Sequence, residues 1–75
     1  MKAILEFELP EDNNNHTIAV NAMGFALACW DLDQFLRDKL KYGNDFVDPD
    51  DALEKTREVL NDILHKYNIS LNMIE

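Results

Sequence analysis

The chain is poor in the residues that usually break, staple or anchor a fold. It has one cysteine, two glycines and two prolines in 75 residues, and only seven basic side chains against fifteen acidic ones. One cysteine excludes an internal disulfide framework. So little glycine and proline, with 47% hydrophobic residues, excludes a chain disordered throughout. The formal net charge of −8 opposes general attraction to a nucleic-acid backbone or an anionic membrane. No apolar run approaches the roughly 20 residues that span a bilayer. The chain also opens without a basic and apolar leader, so the expected compartment is the cytoplasm.

Chemical motifs are equally scarce. There is no glycine-rich phosphate loop, no G-x-S-x-G nucleophile turn, and no second His or Cys ligand within two to five residues of His16, His65 or Cys29. No metal or cofactor is expected. What is present suits one small domain, residues 1–75, at a size where a single core rarely suffices. A second copy of the chain is therefore an expected partner.

Residues 2–9, KAILEFEL, alternate Ala3, Leu5, Phe7 and Leu9 against Lys2, Ile4, Glu6 and Glu8, which predicts a β-strand ending at Pro10. The asparagines at 13–15 predict a loop, with a helix from about His16. Gly24 reads as a kink, a break between two helices, or a close approach by another backbone. Helical spacing is firm from Phe25 to Tyr42 and stops at Gly43-Asn44.

Asp48-Pro49-Asp50-Asp51 then opens a second amphipathic helix over about 49–67, with Leu53, Thr56, Leu60, Ile63, Leu64 and Tyr67 on one stripe. Residues 69–73 alternate again and read as a short strand beside the first, the other reading being a terminal helical turn. The expected fold class is thus α+β: an N-terminal strand, a long central helix broken or kinked at Gly24, a second helix and a short C-terminal strand.

The central helix carries two faces. Phe25, Ala28, Cys29, Phe35, Leu36 and Leu40 fall within about 80° of Leu32 and form the expected core stripe. Trp30, Gln34, Arg37 and Lys41 fall between about 140° and 200°, extended by Met23 and Leu27. As a binding surface, this row offers an indole face, a directional carboxamide and a guanidinium fork suited to carboxylate or phosphate. As plain structure, a twin subunit would cover the row, with Arg37 paired to Asp33 or Asp38 and Trp30 filling a dimer core. The alternative chemistry is a metal-dependent nucleotide hydrolase using Asp31 and Asp38, which share a helix side.

The words MKAILEFELPED at 1–12 and WDLDQFLRDKLKYG at 30–43 resemble a group of small phage-encoded accessory proteins, most without an assigned function. Their pattern is an MKA-x-L-E-F-x-L-P-E-D opening and a central aromatic, D-x-D-Q, aromatic, L-R helix. NNNH at 13–16 departs from the more charged residues of that pattern. The resemblance implies origin more than mechanism: a small accessory protein made in an infected bacterial cytoplasm. Together with the row on the central helix it leads to the expectation of a non-enzymatic binding protein that interferes with a host process, counter-defence first. It would do so by sequestering a small phosphorylated, nucleotide-like signal in a homo-oligomer, or by inhibiting a host protein.

Overall fold

A computed structural model describes residues 1–74. Three α-helices follow one another: α1 (Asn13–Val20), α2 (Ala22–Tyr42) and α3 (Pro49–Lys66), closed by a 3-10 turn over Leu71–Ile74. No strand occurs among the described residues, so the expected α+β class is overturned in favour of an all-helical one.

Both expected strands fail for one physical reason. A strand exists only against a neighbour, and each of these segments was the other's only candidate. The tail is diverted at the end of α3. There Asn68 adopts a left-handed conformation (φ 55°), Asn68 N–H donates to the His65 carbonyl at 3.0 Å, and Ile69 N–H donates to the Leu64 carbonyl at 3.0 Å. This is a Schellman reversal with asparagine in the place glycine usually takes. It turns Ile69 into the core, and the Met73 N–H bond to the Ser70 carbonyl then winds the tail into the 3-10 turn beside α1. Residues 1–8 are left without regular structure, and Phe7 stacks edge-on against His16 with ring centroids 5.3 Å apart.

The first helix begins at Asn13, earlier than the expected His16. Asp12 closes the preceding turn: its carboxylate accepts from Glu8 N–H at 2.9 Å, while its own N–H donates to the Glu8 carbonyl at 2.7 Å. The interruption expected at Gly24 falls at Asn21, whose amide and side-chain Nδ2 both donate to the Thr17 carbonyl. α2 runs unbroken through Gly24, where a side chain, not the expected second backbone, comes closest. A Cβ there would lie 3.1 Å from Ile69 Cγ2.

α2 and α3 form an antiparallel hairpin through residues 43–48. α2 stops at Gly43 (φ 88°), a conformation that costs glycine little. α3 starts as its sequence dictates, with Asp48 Oδ1 accepting from Asp51 N–H at 2.8 Å and Pro49 in the first turn. In the connection, Phe46 lies under both Lys39 and Lys55, whose ammonium groups are 5.9 and 5.8 Å from its centroid. The core is small: Ala28, Ile63, Leu64 and Ile69, ringed by Phe25, Leu32, Val59, Leu60, Tyr67 and Met73.

Candidate functional site

The side of α2 facing α3 is not quite the one its periodicity centred on. Phe25, Ala28, Leu32 and Phe35 are covered, but Cys29, Leu36 and Leu40 are exposed, with Leu40 at 87%. The covered arc is rotated by roughly 50° toward Asp31. A polar clasp lies at the edge of this rotated arc. Asp31 Oδ2 accepts from the Tyr67 hydroxyl at 2.7 Å and from Lys66 Nζ at 3.1 Å, tying the middle of α2 to the end of α3.

The clasp alters the acidity of its members. The Tyr67 hydrogen bond, then the Lys66 bond, hold the Asp31 carboxyl below its usual range. Asp31 in turn raises the Lys66 ammonium and the Tyr67 phenol. Lys66 reaches across to Asp31 on α2, and among the described residues it makes no four-apart pair with Asp62 of its own helix. Asp51 and Lys55 do make theirs, at 3.2 Å.

The sequence-derived row lies on the uncovered side. Trp30 is 62% exposed, Arg37 and Lys41 are exposed, and Gln34 is half-buried. Met23 and Leu27 extend the apolar part toward the start of the helix, both exposed. Arg37 and Lys41 share a shallow, open groove with Asp33, Leu36 and Leu40; Trp30 and Gln34 do not line it. Among the described residues Arg37 forms no ion pair, either with Asp33 or with Asp38. The Lys41 ammonium rests 5.3 Å from the Tyr42 ring centroid.

Asp33, Leu36 and Leu40 are the residues that sequence reasoning left out of the site. Their exposure follows from how α3 is placed, and periodicity alone assigned the two leucines to the core. A second apolar groove, lined by Leu5, Phe7, Leu9, His16, Ala19 and Val20, opens between the N-terminal segment and α1.

The acid pair of the hydrolase alternative is split. Asp31 is held in the clasp, while Asp38 lies exposed two turns further along α2. Among the described residues, no three His, Cys, Asp or Glu side chains are grouped to hold a metal ion. No helix among them is long and apolar enough to cross a membrane. No family model matches the chain, and neither does any curated protein or solved structure.

Proposed function

We propose that this chain is a small non-enzymatic binding protein that works through the outer face of α2, with Trp30, Gln34, Arg37 and Lys41 as its recognition residues. The observation that carries the reading is the exposure of Trp30, beside exposed Met23 and Leu27, two turns before an Arg37 that makes no ion pair among the described residues. Leaving an indole and its apolar neighbours in water costs free energy that a partner would recover. Tryptophan and arginine are also the side chains most enriched where binding energy concentrates.

The open shape of the groove favours a protein surface as occupant over a small molecule held by one chain, because a small ligand needs walls on several sides. A phosphorylated ligand would fit the guanidinium and ammonium of Arg37 and Lys41 once a neighbouring copy supplied another wall. Interference with a bacterial host process, counter-defence in particular, rests on the resemblance in residues 1–12 and 30–43 alone.

The test uses the Trp30→Ala and Arg37→Ala variants beside the parent protein. Each is exposed to bacterial cytosol and, separately, to its nucleotide fraction, then weighed by native mass spectrometry, with circular dichroism checking that the helices are intact. A bound protein or phosphorylated mass that both substitutions abolish supports the reading. A folded Trp30→Ala/Arg37→Ala double variant that keeps every partner and the activity of the parent overturns it.

A further inference from the structure

Five exposed residues of α2, Ala26, Cys29, Asp33, Leu36 and Leu40, are spaced three, four, three and four apart. That is the seam spacing by which one helix packs lengthwise on another. On one side of the seam Phe25, Leu32 and Lys39, seven apart, lean toward the chain's own α3 and are half-buried. On the other side Trp30 and Arg37, also seven apart, are exposed. The seam is thus built for a helix that this chain does not itself supply.

The dimensions of the molecule agree. Its accessible surface is 6429 Å², whereas a monomer of this mass exposes about 4,700 Å². Its radius of gyration is 16.5 Å, against about 11 Å for a compact chain of this length. The excess is about 1,700 Å² per chain, shared between α2 and the exposed Met1, Ile4, Leu5 and Leu9, and it leaves room for the roughly 800 Å² per partner that a standard interface buries.

Charge selects both the occupant and its direction. A net charge of −8 repels another copy at long range, so association needs a face where the acids are answered. The seam holds one acid, Asp33, and along its open edge stand two exposed bases, Arg37 four residues later and Lys41 eight, neither in an ion pair among the described residues. In a parallel pair Asp33 would face Asp33 and Arg37 would face Arg37, and like charges in register are costly. In an antiparallel pair with its axis near residues 34 and 35, each Asp33 meets the opposite Arg37.

We propose that a second copy of this chain occupies the seam, its α2 antiparallel to the first across that two-fold axis, with Asp33 of each copy paired to Arg37 of the other. Leu40 then packs near Cys29 of the second copy, and Trp30 folds over the same junction, its ring within reach of the opposite Arg37. Two α2–α3 hairpins join as a four-helix arrangement, the usual way helical hairpins hide a second apolar face. The inference rests on the reading of the outer face of α2 as a docking surface, and it names the occupant.

The experiment is a charge exchange between chains, read by sedimentation equilibrium and native mass spectrometry. Asp33→Arg puts arginine opposite Arg37 of its twin, and Arg37→Asp puts aspartate opposite Asp33. Each change therefore raises the dimer dissociation constant by roughly a hundredfold or more. Mixing the two variants restores both pairs, and a heterodimer forms with the parental net charge and near-parental affinity. Both substituted positions are exposed, and circular dichroism on each variant confirms its helix content.

A parent protein that stays monomeric overturns the proposal. So do single variants that dimerise as the parent does, or a mixture that fails to associate. The outcome is separable from that of the preceding section: a restored heterodimer binding no further partner removes the recognition reading and leaves the pairing. A monomer that still binds its partner through Trp30 does the reverse.

Discussion

Asp31 shows how little a residue type says before its neighbours are known. The sequence offers it as one of two carboxylates on a helix side, a candidate for acid–base or metal work. In the fold it accepts from Tyr67, 36 residues away, and from Lys66, joining the middle of α2 to the end of α3. The linkage has a definite sign. Because the folded carboxyl titrates below its unfolded value, its contribution is present above about pH 4 and is lost as pH falls through the lower folded value. Lys66 and Tyr67 are raised, so their contributions hold below about pH 10 and are lost as pH rises through their folded values. The Asp31→Asn variant is expected to melt below the parent at pH 7, with the gap closing as both are taken to about pH 2. Thermal melts by circular dichroism across that range check it, and a constant gap would refute the linkage. The effect is modest, since Lys66, the ionic partner of Asp31, is 64% exposed and the pair is screened by solvent.

Helices divide by how local their instructions are. α3 begins where Asp48 and Pro49 say it should, because a cap is settled by residues three positions apart. Asp51 adds a second bond at that end, accepting from Val47 N–H at 3.0 Å, which holds its carboxyl below the usual range. Asp48→Ala is expected to cost about 1 kcal/mol in a urea titration, with the slope of the transition unchanged. Asp48→Asn should recover most of that loss, since asparagine caps nearly as well. Gly24 belongs to the same scale. Its sequence context allowed a kink, a break or a close approach by another backbone; α2 runs through it unbroken, and what comes closest is the Ile69 side chain. Strands are the opposite case. The alternation of residues 2–9 was legible, but nothing within those residues could say that no second strand would meet them.

At the scale of the molecule, an extended chain of 50 × 29 × 17 Å closes on four buried core residues among those described, few for a protein expected to stand alone. Pairing makes stability depend on concentration. The melting temperature should rise by several degrees between about 1 and 100 μM of the parent protein and stay flat for Asp33→Arg. Differential scanning calorimetry at the two concentrations reads this directly, and a flat parent curve would contradict a stabilising dimer.

The row Trp30, Gln34, Arg37 and Lys41 could be drawn from the sequence because a regular helix of this length fixes which residues share a face. The ends of α2 and α3 near the connection were legible too, since caps and left-handed glycine act within one turn. Only the tertiary structure decided that the chain is all-helical, that Asp31 is a clasp, and that Cys29, Leu36 and Leu40 lie in the open. Periodicity states which residues seek cover. What covers them depends on contacts between segments tens of residues apart, here the reversal at Asn68 and the reach of α3 across α2.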